Sequence, residues 1–210
     1  MIILGVDTCL DACSVALVEA GNTRGRIVEP MARGHQERLA VIAQAVMAQA
    51  GASFDQLDRI GVTVGPGSFT GLRVGLAFAK GLSQALGVPA VGVGTLAALA
   101  ADLSGLVFAA IDARRGQLYL QAFEEGAPLT PPEALTLDEA AACLDEVAGP
   151  SAVTLIGSGA GLLAQAAPHA HLITRSWADP SAVARLAALR DPTPPRPLYL
   201  RAPDARLPAA

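Results

Sequence analysis

Positive charge is scarce in this sequence, with 15 Lys and Arg against 19 Asp and Glu and a formal net charge of −4. Binding nucleic acid through its phosphates needs a basic face. Unaided binding of that kind is therefore excluded, and any RNA contact requires a basic partner. Cysteine is sparse too: Cys9, Cys13 and Cys143 form an odd set without metal-type pairing. Such a set fits a reducing compartment better than a disulfide framework. Charged residues are only 16% of the chain and hydrophobic ones 52%, which excludes a disordered polymer. Long apolar runs are missing as well. The most apolar window, Val88 to Ala101, is broken by Pro89, Gly92 and Gly94 and is too short to span a bilayer. Met1 to Asp7 lacks a basic leader and meets a charge too early for a signal peptide. A cytoplasmic protein without membrane contact is the expectation.

Catalytic signatures are also lacking. The glycine-rich turn Gly65-Pro66-Gly67-Ser68-Phe69-Thr70-Gly71 matches neither G-x-x-x-x-G-K-[ST] nor G-x-G-x-x-G. G-x-S-x-G is absent, so a serine hydrolase is poorly supported. A metal pair on one helix face would need a ligand four residues after His35, and that position is Leu39. His169 and His171 have no acidic or cysteine neighbours in sequence. No catalytic set and no metal set is predicted.

What is present is organised around Ile60 to Lys80. Ile60 to Val64 reads as a strand, Gly65 to Gly67 as a turn, and Ser68 or Thr70 as a cap for the helix that follows. Gly67, Gly71, Gly75 and Ala79 recur at four-residue steps and share one helix face. Each glycine inside a helix costs roughly 1 kcal/mol relative to Ala. A smooth stripe therefore means that another backbone comes close, either within one domain or from a second protein. The turn at a helix N-terminus also allows a phosphate cradle.

The chain starts twice. Ile2 to Val6 ends at Asp7 and returns through Cys13 to Val18, with a possible third strand at Arg24 to Glu29. A helix over Gln36 to Ala50 carries Leu39, Ile42, Ala43, Val46 and Met47 on one face. After the central stretch come a strand at Ala90 to Val93 and a helix from Thr95. Val107 to Ile111 then repeats the opening strand, ending at Asp112, and Gln117 to Phe123 returns. Leu135 to Val147 is helical, Ala152 to Ile156 a strand, Gly157 to Gly161 a second glycine-rich turn and Leu162 to Ala167 a helix. This internal repeat predicts an α/β protein of two lobes, each a mixed sheet flanked by helices, with a cleft between them. The lobes are 1–105 and 106–178, a helix within 179–191 packs back on the first, and 192–210 is a proline-rich tail in which Leu198 to Arg201 docks. Asp7 and Asp112 then stand at equivalent strand ends, either facing the cleft or capping their own turns. Arg73, Arg114 and Arg115 are candidates to hold phosphate or carboxylate.

Several stretches resemble the TsaB (YeaZ) family: Ile3 to Thr8, Cys13 to Leu17, His35-Gln36-Glu37-Arg38-Leu39, Gly65 to Gly75, Ala79 to Leu82, Asp112 to Tyr119 and Leu198-Tyr199-Leu200-Arg201. The resemblance covers the chain in order, and Gly65 to Arg73 is its most specific piece. It implies the actin-like ATPase (ASKHA) fold and a role in forming threonylcarbamoyladenosine beside the tRNA anticodon. In that family the transfer is made by the paralogue TsaD, which binds metal through two histidines. TsaB-like proteins bind TsaD through first-lobe helices and work with the ATPase TsaE. With Leu39 in place of the second histidine, this chain resembles the non-catalytic member, meeting tRNA only through the complex. No cofactor is implied beyond weak ATP or ADP binding at the complex interface, with Asp7, Thr8 and Asp112 as nucleotide or cleft residues. The implied partner interface is Leu39, Ile42, Val46, Leu72, Leu76 and Phe78 for apolar area, Gly71 and Gly75 for close approach, and Arg73 for a charged contact. Without TsaD the same surface pairs with itself as a homodimer. On this reading Gly75→Leu blocks association and spares the fold. The alternative is a cleft-based nucleotide hydrolase or peptidase-like enzyme.

Overall fold

Strands apolar on both faces need cover on both faces. The computed structural model, which describes residues 1–201, meets that need with helices between and outside two sheets. Residues 202–210 of the expected tail lie outside the described ones. The first sheet holds β1 (Ile2–Asp7), β2 (Ala12–Glu19), β3 (Asn22–Pro30), β4 (Arg59–Thr63) and β5 (Ala90–Val93), in the order β3-β2-β1-β4-β5. β1, β2 and β3 pair antiparallel, and β1, β4 and β5 pair parallel. The parallel connections are the helices α1 (His35–Gln49) and α2 (Phe69–Leu86). On their side of the sheet Leu4, Val6, Ile60 and Val62 are buried with Leu39, Ile42 and Val46 of α1 and Leu72 and Leu76 of α2.

A short helix, α3 (Thr95–Ala100), leads to β6 (Leu106–Arg114), β7 (Gln117–Glu124), β8 (Ala127–Pro128), β9 (Glu133–Thr136), α4 (Leu137–Ala148), β10 (Val153–Ile156), α5 (Ala160–Leu163), β11 (His171–Ile173) and α6 (Pro180–Ala188). The second sheet runs β11-β10-β6-β7-β8, with β9 also on β7. The repeat is present in space: β1-β2-β3 answers to β6-β7-β9, α1 to α4, β4 to β10, α2 to α5 and β5 to β11. Three details differ from the sequence expectation. The helix expected over Leu162 to Ala167 is the short α5, Ala160–Leu163, which takes in Gly161 of the expected turn and ends before Ala164. Leu135 belongs to β9, because Thr136 closes a capping box with Glu139 and starts α4 only at Leu137. The stretch at His171, to which the sequence reading assigns no element, forms β11, which pairs in parallel with Thr154 to Ile156.

The two inner faces are covered by exchanged helices. α3 follows the first sheet but packs on the second, where Leu96 and Leu99 are buried with Val107, Ala109, Ile111 and Phe123. α6 follows the second sheet and packs on the first, where Val183, Ala184 and Ala187 meet Ile3, Val91 and Val93. Gly5 and Gly61, paired in register, flatten the strip beneath α6. A Cβ on Gly5 would overlap the Pro180 carbonyl, and one on Gly61 would lie 2.7 Å from Ala187 Cβ. Asp179 caps the helix by accepting from Ser181 N at 2.9 Å, and Arg59 Nη1 donates to the carbonyls of Ala187 and Arg190 at 2.6 and 2.7 Å at its other end. Among the described residues, no helix is long and apolar enough to cross a membrane.

Candidate functional site

An aspartate at a strand end sets its carboxylate beside the N–H two residues on. Both halves use that geometry: Asp7 Oδ1 accepts from Cys9 N at 3.0 Å, and Asp112 Oδ1 from Arg114 N at 2.8 Å. Beyond the turn they differ. Asp7 is fully buried, and its carboxylate also accepts from Thr63 Oγ1 at 2.7 Å and from Ala178 N at 3.3 Å. Burial pushes this carboxyl above its ordinary range, while those hydrogen bonds and the nearby His35 act the other way. Thr8 is buried too, donating its hydroxyl to Gly71 O at 2.7 Å. Asp112 is only half-buried and pairs with Arg114 Nη1 at 3.1 Å. Of the three residues expected at the cleft, Asp112 lines it, whereas Asp7 and Thr8 point into the protein.

The glycine-rich turn explains why. Ser68 N donates to Cys9 O at 2.7 Å, and Ser68 Oγ caps α2 by accepting from Gly71 N at 3.2 Å. A Cβ on Gly67 would overlap Cys9 O, one on Gly71 would overlap Thr8 O, and one on Gly75 would lie 2.5 Å from Thr8 Oγ1. The backbone that comes close to the stripe is therefore this chain's own β1–β2 turn. Gly67 and Ser68 of the turn also line the interlobe cleft. The second lobe repeats the device, with Gly157 against Ala110 O and Gly159 N donating to Ala110 O at 3.0 Å. Between the lobes remains a cleft of about 340 Å³ bordered by Asp11, Ser68, Asp112, Arg114, Tyr119 and Ser158. Among the described residues, no group of three His, Cys, Asp or Glu side chains converges on a metal position.

A second concavity, of about 540 Å³, lies on the outer side of α1 and α2. Gln36, Ala40, Phe69, Arg73, Val74 and Ala77 line it, with Leu39 at its floor and Phe78 at its side. The residues expected to give a partner apolar area need correcting here. Leu39, Ile42, Val46, Leu72 and Leu76 are at most 6% exposed because they cover the lobe's own sheet. Gly71 and Gly75 serve Thr8, so Gly75→Leu would disturb the fold rather than an interface alone. Of the nine expected residues, Arg73 is exposed and Phe78 half-buried. Phe69, 49% exposed, was missed; the Arg73 guanidinium lies 3.8 Å above its ring centroid. The signal was in the sequence: apolar residues such as Ala40, Val41 and Ala77 fall off the stripe that faces the core.

Comparison with known proteins adds the lineage. The family model for TsaD, tRNA N6-adenosine threonylcarbamoyltransferase, matches residues 20–156. An uncharacterized protein of Mycobacterium tuberculosis is 34% identical over 212 residues, covering 97% of this chain and 93% of that one. The tRNA threonylcarbamoyladenosine biosynthesis protein TsaB of Escherichia coli is 37% identical over 124 residues, which are 57% of this chain and 53% of TsaB. YeaZ from Pseudomonas aeruginosa superposes with a TM-score of 0.79 at 26% identity over 95% of this chain and 99% of its own. This chain belongs to the TsaB (YeaZ) family. The ROK hexokinase from Thermus thermophilus, at 15% identity and a TM-score of 0.51 over 90% of this chain and 99% of its own, shares the fold, that of the actin-like ATPases. In this TsaB-family chain the β1–β2 turn is bound to the glycine-rich turn through Thr8 and Cys9, with the interlobe cleft and the α1–α2 groove left as concavities.

Proposed function

We propose that this chain is a binding and activating subunit in the formation of threonylcarbamoyladenosine on tRNA, without a catalytic centre of its own. It docks a TsaD-like protein, which makes the transfer, through the α1–α2 groove. A TsaE-like ATPase completes the system, and tRNA is met through the complex. The observation that carries the reading is that Asp7 and Thr8 are fully buried, with Asp7 bonded to Cys9, Thr63 and Ala178 and Thr8 to Gly71. Residues at those positions can take a metal or phosphate only if their polar atoms are free, and here Asp7 accepts three protein hydrogen bonds and Thr8 gives its hydroxyl to Gly71. Docking is supported by the exposed Phe69 and Arg73 on the groove, an aromatic and an arginine being residue types enriched in interfaces. Any homodimer of the isolated chain uses the same face.

The test is transfer of labelled threonylcarbamoyl to unmodified tRNA by TsaD-like and TsaE-like proteins, with and without this chain. Modification that requires both this chain and the TsaD-like protein is expected, with none from this chain alone. Ala77→Arg, which sets a long charged side chain across the groove, is expected to abolish co-purification with the TsaD-like protein. Full transfer in the absence of this chain would overturn the proposal. Turnover of Mg·ATP by the isolated chain, lost in Asp112→Asn, would replace it with the nucleotide-hydrolase reading.

A further inference from the structure

The last described residues form a strap across the molecule. Pro195 is buried against Gly92 of β5, and Leu198 N donates to Val64 O at 2.7 Å just beyond β4. Arg201 Nη1 then reaches the second lobe and donates to Ala113 O at 3.2 Å, near the end of β6. Between these ties Tyr199 is held beside the start of α2. Its ring centroid lies 5.6 Å from that of Phe69, and its hydroxyl accepts from Arg73 Nε at 3.5 Å.

Tyr199 is 48% exposed and Phe69 49%, in a chain with only 4% aromatic residues. Two large aromatics packed side by side and each about half exposed leave a joined apolar area in water. Arg73 is stacked on Phe69 and bonded through Nε to Tyr199, and among the described residues its Nη atoms have no hydrogen-bond partner. A stacked guanidinium with free donors presents a fork suited to a carboxylate.

We propose that Tyr199 belongs to the docking surface, so that the strap and α2 together form a recognition cluster of Phe69, Arg73 and Tyr199 at the groove's rim. The occupant is the TsaD-like partner of the proposed function, on which this inference rests, carrying a carboxylate opposite Arg73. The TsaD model matches the stretch of this chain that contains α1 and α2, so a TsaD-like protein has an equivalent helix pair to set against this one. Arg201 acts as a positioning residue. Tied at Val64 and Ala113, the strap holds Tyr199 in place before the partner arrives, so less ordering is left to be done on binding.

The experiment measures the Kd of the full-length chain for the TsaD-like protein by titration calorimetry, for wild type, Tyr199→Ala, Tyr199→Lys, Arg201→Ala and the groove variant Ala77→Arg. Thermal melts alongside serve as the fold control, and Tyr199→Lys keeps a long side chain should Tyr199→Ala loosen the strap. Tyr199→Ala is expected to weaken binding about tenfold, as loss of an aromatic interface anchor does, and Tyr199→Lys at least as much through repulsion with Arg73. Arg201→Ala is expected to weaken it about threefold while raising amide exchange over residues 198–200 of the unbound chain, the readout of a positioning role. If Ala77→Arg abolishes binding and both Tyr199 variants leave Kd unchanged, this inference falls and the proposed docking stands. If none of the three changes Kd, the docking reading itself falls. If the Tyr199 variants alter only self-association in sedimentation, the occupant is a second copy and the inference is overturned.

Discussion

Gly71→Ala and Gly81→Ala make the same chemical change in one helix, ten residues apart, and should move stability in opposite directions. In an exposed helix interior the substitution removes glycine's conformational cost and gains roughly 1 kcal/mol. Gly81 is such a position, since an added Cβ there meets nothing within 4 Å. At Gly71 the Cβ would overlap the Thr8 carbonyl, a backbone atom no rotamer change can remove. Either α2 or the β1–β2 turn must shift, at the cost of overpacking, about 1–3 kcal/mol. That shift also strains the bond from Thr8 Oγ1 to Gly71 O, worth about 1 kcal/mol. The costs outweigh the helix gain, leaving Gly71→Ala destabilised by about 2 kcal/mol. Urea unfolding followed by circular dichroism is the assay. With a slope near 3 kcal/mol/M for a chain of this size, the two midpoints should separate by about 1 M. The reasoning is refuted if Gly71→Ala raises the midpoint as Gly81→Ala does.

The pH dependence of Asp7 has a definite sign. Its folded-state pKa is raised, chiefly by burial. The folded chain therefore holds that proton more tightly than the unfolded chain, and the buried charge costs stability above the raised value. Relative to Asp7→Asn, wild type should gain stability as pH falls from 7 towards 4, and a difference that stays flat or grows against wild type would contradict this. Burial, followed by the charge of Asp7, pushes the Cys9 and Cys13 thiols up to about 12. In a native chain at pH 8, Cys143 is expected to react first with a disulfide reagent and the other two only on unfolding, which a timed thiol titration with peptide mapping checks.

Much of the architecture was legible because it is written in periodicity. The repeat of strand, aspartate and return strand at Asp7 and Asp112 appears in both sheets, and the helix after Asp179 follows from Pro180 at its first position. What could not be read was the direction in which a face looks. The stripe of Gly71 and Gly75 announced a close neighbour, yet only the fold identifies it as Thr8. Likewise Leu39, Ile42 and Val46 mark an amphipathic face, and such a face turns to the nearest sheet before it turns to a partner. β11 left no trace because three residues at a sheet edge, two of them exposed, are too few to show alternation. The cluster of Phe69, Arg73 and Tyr199 joins positions 126 apart in sequence, a distance that local patterns do not bridge.

The exchange of α3 and α6 also sets a timetable. β1, β4 and β5 are complete once Val93 has been made, but the helix that covers their inner face ends at Ala188, roughly 95 residues later. At about 5–20 residues per second, the ribosome leaves that apolar face open for roughly 5 to 20 s. A product released or clipped before Ala188 keeps it open permanently, with the flat strip of Gly5 and Gly61 beside parallel strands that have lost their lid. Closure of the first sheet thus waits for α6, and copies that stop before Ala188 carry a sticky surface that α6 would otherwise cover.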